Sequence, residues 1–103
     1  MGKRSRVIDP EYIMRMVAKE HGCTKEAYQV FRSKAEGRAM AALLCRELTN
    51  ISLAGLSELF KLSYPNSAAN LVRRAKSDLA EQPKTKIMYS RIKKKLAKNE
   101  KQG

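Results

Sequence analysis

Residues 52–76 read SLAGLSELFKLSYPNSAANLVRRAK, and the order of signals in this segment is unusually clear. Ser52 suits a helix N-cap, and the apolar residues from Leu53 to Phe60 recur with helical spacing. A short turn is predicted at 61–65. A second helix is predicted from about Asn66 to Leu79. The segment therefore predicts two helices joined by a tight turn.

The rest of the chain also has helical periodicity, and no stretch alternates with the two-residue period of a strand. The predicted elements are a helix from Asp9-Pro10 to Gly22, a short helix from Thr24 to Phe31, a central apolar helix from Ser33 to about Thr49, and a basic helix from about Lys86 to Lys98. Ser33 and Glu36 have capping-box spacing, which predicts the start of the central helix. The fold class is therefore expected to be all-α, a compact bundle of about five to six helices.

The chain is expected to divide into three parts. Residues 1–8 hold Lys3, Arg4 and Arg6 without periodicity and are interpreted as a basic arm. Residues 9–82 form the helical domain, and Gln82-Pro83 breaks its last helix. Residues 83–103 form a basic helix and tail, which either packs on the domain or lies on a membrane surface. Packing is favoured because the segment has few apolar residues.

The charge of the chain points to a polyanionic partner. Lys and Arg number 22 against 10 Asp and Glu, which gives a net charge of +12 and a pI near 10.1. A small domain of this charge is typical of proteins that bind DNA, RNA or an anionic membrane. No apolar run has membrane-spanning length and no signal-peptide pattern is present, so a cytoplasmic protein without a membrane partner is expected.

The sequence favours a binding protein over an enzyme. Cys23 and Cys45 lack the spacing of metal ligands and are expected to be reduced thiols. His21 is the only histidine, so a catalytic triad or a histidine metal cluster is not expected. A GxxxxGK[ST] phosphate loop and a His-x-His pair are both missing from the sequence. No catalytic residue, metal, cofactor or small-molecule substrate is therefore predicted.

The second helix of the pair carries the candidate contacts to bases. Asn66, Ser67 and Asn70 are short polar residues near its start, and asparagine can pair bidentately with adenine. Tyr64 precedes them in the turn and either touches DNA or is only a turn residue. Arg73 and Arg74 follow on the same helix, where phosphate contacts are expected. This arrangement is that of a helix-turn-helix, in which the first helix supports the second in the major groove.

One specific motif, Arg46-Glu47-Leu48-Thr49-Asn50 followed by Ser52-Leu53, lies between the central helix and the helix pair. Further motifs between Ile8 and about Leu79 are Arg32-Ser33, Arg38, Met40-Ala41, Phe60 and Arg73-Arg74. On these motifs the chain resembles the C-terminal DNA-binding domain of the bacterial replication initiator DnaA, whose fold is shared with the Trp repressor. The sequence is also similar to the DnaA-like tail of single-tyrosine transposases associated with repetitive extragenic palindromes. It is therefore expected to be part of a longer replication or transposition protein.

The resemblance implies roles for further residues. It gives phosphate contacts to Arg32 and Arg38 of the basic loop and to Arg46 and Thr49 at the end of the central helix. Lys34 and Ser63 are further candidate phosphate ligands. Asn66 and Ser67 lie where the family has two threonines of an Asp-His-Thr-Thr-Val signature. Because Tyr64-Pro65-Asn66-Ser67-Ala68 replaces that signature, a different target sequence is expected.

The predicted function is double-stranded DNA binding by a monomeric domain associated with the bacterial nucleoid. The alternative is an RNA-associated or ribosome-associated basic protein. The low aromatic content of 6% disfavours it, because base-stacking platforms need aromatic side chains. A third hypothesis is a protein-interaction or membrane-surface role for the C-terminal segment.

Overall fold

The computed structural model describes residues 8–30 and 33–102, with side chains described as far as residue 97. Within these residues the fold is all-helical, which confirms the predicted class. The helices are α1 (Pro10–Glu20), α2 (Lys25–Tyr28), α3 (Arg38–Leu48), α4 (Leu53–Leu59), α5 (Pro65–Glu81) and α6 (Pro83–Gln102). Of the predicted basic arm at 1–8, residues 1–7 lie outside the described residues.

Helix α1 begins and ends where local signals predict. The Asp9 side chain accepts a hydrogen bond from the Glu11 backbone N–H at 3.1 Å, and Pro10 occupies the first helical position. His21 follows the last helical residue, and Gly22 adopts a φ of +76° that suits glycine. The His21 ring also bonds the Val17 carbonyl at 2.8 Å through Nδ1.

The central helix α3 begins later than predicted, and the predicted capping box is wrong. Ser33 Oγ donates to the Ala27 carbonyl and accepts from the Ala35 N–H at 3.2 Å, so it closes a turn before the helix. The N-cap is instead Gly37, with a φ of +90°. Helix α2 is also shorter than predicted and ends at Tyr28. These loop contacts join residues that are not helical neighbours, so helical periodicity did not predict them.

Helix α3 lies at the centre of the core, as its apolar sequence predicts. Its residues 40–45 are all buried, and it packs against both α1 and α5. The fully buried side chains of its neighbours include Ile13, Met14 and Val17 from α1, Tyr28 from α2, Leu56 from α4 and the adjacent Phe60. Burial of each large apolar side chain contributes roughly 1.5–3 kcal/mol, so this shared core holds the α4–α5 pair in place.

Helix α6 belongs to the same core. It runs from Pro83 to Gln102, longer than the predicted 86–98, and its Ile92 and Leu96 side chains are fully buried in the cluster that α1 and α3 form. The segment predicted as a separate C-terminal part is therefore packed on the rest of the fold. No helix in the described part of the chain is long and apolar enough to cross a membrane.

Candidate nucleic-acid interface

The turn between α4 and α5 is held by one buried hydroxyl. Ser57 is 5% exposed, and its Oγ lies 3.2 Å from the Leu62 carbonyl oxygen and 3.1 Å from that of Tyr64. The Leu62 N–H returns a bond of 2.8 Å to the Ser57 carbonyl. Lys61, between them, has a φ of +57° and lets the chain reverse. These bonds fix the direction in which α5 leaves the turn.

Replacing Ser57 with alanine is expected to lower the free energy of unfolding by about 1–2 kcal/mol, because a buried hydroxyl and its hydrogen bonds are lost. Urea denaturation measures this change. The exposed Ser77, which makes no hydrogen bond to the described residues, provides the control: Ser77→Ala is expected to stay within about 0.5 kcal/mol of the wild type. Equal effects of the two substitutions would show that Ser57 does not support the turn.

The first turn of α5 presents polar groups to solvent. Tyr64 is the N-cap residue but makes no side-chain capping bond, and 70% of its surface is exposed. Asn66 and Asn70 are exposed and Ser67 is half-buried. Asn70 accepts a hydrogen bond of 2.9 Å from Arg73, so these two side chains are oriented together. The structure therefore places Asn66, Asn70 and Arg73 on one outward stripe of α5.

The inner face of α5 explains this exposure. Ala68 and Ala75 are buried, and Leu71 and Val72 pack partly against the core. A helix with 3.6 residues per turn that buries these four positions must turn residues 66, 70, 73 and 77 outward. The outward direction of the candidate base-reading residues is therefore a consequence of the apolar pattern.

Two exposed residues among the predicted phosphate ligands meet at one groove, which the buried Arg38 also lines. Lys34 in the loop before α3 and Arg74 on α5 both line a groove of about 640 Å³ that also reaches the start of α6. Both residues are exposed. Asp78 lines the same groove and partly offsets their charge. The structure thus brings together a loop residue and a helix residue that are 40 positions apart in the sequence.

Arg46 and Thr49 lie together at the connection from α3 to α4. Arg46 is exposed and donates one hydrogen bond of 2.6 Å to the Ile51 carbonyl, so its other donors remain available. Thr49 Oγ1 donates to the Cys45 carbonyl at 2.6 Å and accepts from the Ile51 N–H at 3.1 Å. The Thr49 hydroxyl therefore ends helix α3, and its proton is already used.

Arg38 has a structural environment instead of the exposed one that a phosphate ligand needs. Only 8% of its surface is exposed, and its guanidinium donates to three carbonyls: Tyr28 at 3.0 Å, Ser33 at 3.3 Å and Phe60 at 3.1 Å. Burial lowers the pKa of Arg38. The phosphate role that the resemblance implies is corrected here: Arg38 ties α2, the following loop and the end of α4 together.

The described part of the structure gives no specific contact for the two remaining predicted phosphate ligands. Ser63 is exposed in the turn and makes no hydrogen bond to the described residues. Arg32 lies outside the described residues. Sequence reasoning missed Ser57 and Gly37, and only the helical spacing of Ser57 with Leu53 and Phe60 could have indicated an inward position for Ser57.

No protein-family model, curated protein or solved structure matches this chain. Among the described residues, no group of three or more His, Cys, Asp or Glu side chains is placed to hold a metal ion. Cys45 is buried, which raises the pKa of its thiol to about 12 and keeps it protonated at neutral pH. The candidate site is therefore judged on its geometry and charge.

Proposed function

We propose that this chain is a double-stranded-DNA-binding domain in which α4, the turn and α5 act as a helix-turn-helix. The observation that carries the proposal is the outward polar start of α5, held by the buried Ser57 at one end and by an apolar inner face along its length. A recognition helix needs a free polar face near its N-terminus and a rigid support, and this helix has both.

The residues along α5 divide into two roles. Asn66 and Asn70 stand one helical turn apart, and each can reach a base edge through its amide. Tyr64 adds an exposed ring beside them. Arg73 and Arg74 lie further along and suit phosphates on either side of the groove, with Lys34 and Arg46 as exposed cations on neighbouring elements. Together they give base readout flanked by positioning contacts.

The resemblance to the DnaA C-terminal domain supports the same assignment. In this proposal the domain acts as a monomer on chromosomal DNA, as part of a replication or transposition protein. Residues 64–68 depart from the initiator's signature, so the target sequence is the chain's own.

The test begins with selection of a preferred duplex from a random library, followed by fluorescence anisotropy on that duplex and on a scrambled one. Asn66→Ala is expected to weaken binding to the selected duplex by about 1–3 kcal/mol, with a much smaller loss on the scrambled duplex, because it removes a base contact. Asn50→Ala is the control, since Asn50 is an exposed asparagine on another connection.

Three outcomes contradict the proposal. Failure to select any preferred duplex would remove base readout altogether. Equal losses on the selected and scrambled duplexes would show that Asn66 reads no base. Tighter binding of structured RNA than of duplex DNA at the same salt concentration would favour the RNA-associated alternative.

A further inference from the structure

The positive charge of the chain is concentrated in the C-terminal segment, away from the start of α5. Residues 83–103 contain eight basic residues and one acidic residue, Glu100, and so carry +7 of the net charge of +12. The basic residues are Lys84, Lys86, Arg91, Lys93, Lys94, Lys95, Lys98 and Lys101. Like charges this close on a helix repel one another, which makes a binding partner of opposite charge the natural complement.

Two of these lysines form ion pairs with carboxylates of other helices. Lys93 lies 3.7 Å from a Glu47 carboxylate oxygen and 5.3 Å from the centre of the Tyr89 ring, and its hydrogen bond with Tyr89 raises its pKa. Lys95 pairs with Glu20, and this bond lowers the pKa of the Glu20 carboxyl. These contacts join α6 to α3 and α1, while the burial of Ile92 and Leu96 determines which side of α6 faces solvent.

The solvent-facing side of α6 carries further cations, of which Arg91 also contributes to lowering the pKa of the Glu20 carboxyl. Lys86, Arg91 and Lys94 are exposed and make no hydrogen bond or ion pair with the described residues. With Ile87 and Ser90 they line one shallow surface, here called the α6 basic face. Lys94 lies opposite the buried Ile92 and Leu96, and Lys86 and Arg91 flank it on either side, because each residue turns the helix by about 100°.

The composition of this face favours nucleic acid over a lipid surface. A helix that lies on a membrane inserts a broad apolar face between the headgroups. In α6 the apolar residues Ile92 and Leu96 are fully buried in the core, and Met88 and Tyr89 are partly buried against it. Ile87, 63% exposed, is the one large apolar side chain on the α6 basic face.

We propose that the α6 basic face is a second, sequence-independent binding surface for the phosphates of duplex DNA, separate from the start of α5. The identity of the polyanion rests on the proposed function. Helix α5 has 17 residues and α6 follows it directly, so the first turn of α6 lies about 25 Å from Asn66. The surface therefore extends contact well beyond the base-reading end of α5.

The experiment compares two charge-matched variants of the full chain. Lys86→Gln with Lys94→Gln removes two cations from the α6 basic face. Arg15→Gln with Lys19→Gln removes two exposed cations from α1. Anisotropy titrations on selected and scrambled duplexes from 0.05 to 0.2 M salt give the slope of log affinity against log salt. Circular dichroism checks that both variants stay helical.

The α6 variant is expected to make the salt slope shallower by about 1.8 on both duplexes, since each phosphate contact contributes roughly 0.9, and to leave the preference between duplexes unchanged. The α1 variant is expected to change the slope much less. Equal slope changes in the two variants would overturn the proposal, because long-range charge would then explain both. Binding of the wild type and the α6 variant to anionic phosphatidylserine vesicles is measured as well. If the α6 variant loses vesicle binding while its DNA salt slope is unchanged, the proposal is overturned and a lipid surface is favoured.

The two proposals fail in different ways. If no duplex is preferred but the α6 variant still reduces the slope, the helix-turn-helix proposal fails and the α6 surface stands. If a duplex is preferred and the α6 and α1 variants behave alike, the helix-turn-helix proposal stands and the α6 surface fails.

Discussion

Replacing Arg38 with methionine is expected to lower the free energy of unfolding by about 3–5 kcal/mol, measured by urea denaturation. The guanidinium donates to the carbonyls of Tyr28, Ser33 and Phe60, and methionine of similar length donates to none. A buried acceptor left without a partner costs about 1–3 kcal/mol. The bonds to Tyr28 and Phe60 are buried and the bond to Ser33 is partly buried, so the carbonyls left by methionine would be poorly hydrated.

Two further variants make the result specific. Arg38→Lys keeps the positive charge but has a single nitrogen, which cannot reach three carbonyls in different directions, so it is also expected to be strongly destabilised. Arg46→Met removes an exposed arginine and is expected to cost less than about 1 kcal/mol. A small loss for Arg38→Met, or full stability for Arg38→Lys, would contradict the structural role.

The DNA affinity of the Arg38 variants separates structure from phosphate contact. If Arg38 acts only within the fold, Arg38→Met, which removes the charge, is expected to bind duplex DNA with the wild-type salt slope once affinity is corrected for the folded fraction. A slope shallower by about 0.9 would instead indicate one lost phosphate contact.

Replacing Gly37 with alanine is expected to lower the free energy of unfolding by about 3 kcal/mol or more. Its φ of +90° is costly for any residue with a Cβ. The added Cβ would also lie 2.5 Å from the Tyr28 hydroxyl oxygen and 2.6 Å from His21 Nδ1. Neither neighbour is free to move, because Tyr28 donates to the Glu36 carbonyl at 2.7 Å and His21 bonds Val17. Overpacking then adds to the backbone strain.

Gly22 provides a matched control for the cost of placing a residue with a Cβ at a positive φ. Its φ is +76°, but a Cβ there meets no atom within 4 Å. Gly22→Ala is therefore expected to cost about 1 kcal/mol, the strain of the left-handed conformation alone. Thermal or urea denaturation of the two alanine variants compares the costs directly. Equal losses would show that the close contacts at Gly37 relax without cost.

The candidate site was predictable where its signals are local. The inward alanines and leucines of α5 determine that Asn66 and Asn70 face outward, and Ser52, whose side chain accepts from the Gly55 N–H at 3.0 Å, caps α4 as predicted. The role of Arg38 was not predictable, because an arginine at the start of an apolar helix looks the same in sequence whether it faces solvent or the core. Its bond to Phe60 joins residues 22 positions apart.

The sequence by itself determined the all-α class, the start of α1 at Asp9-Pro10, the α4–turn–α5 pair and the basic character of the C-terminal helix. Each of these depends on capping groups, prolines and apolar spacing within a few residues. Such local interactions do not require the tertiary fold to bring distant segments together. Only the tertiary structure decided that α3 starts at Gly37, that Arg38 is buried, and that α6 turns Ile92 and Leu96 inward while Lys86 and Lys94 face solvent. These features depend on contacts between distant segments, whose free energy exists only once the core has brought those segments together.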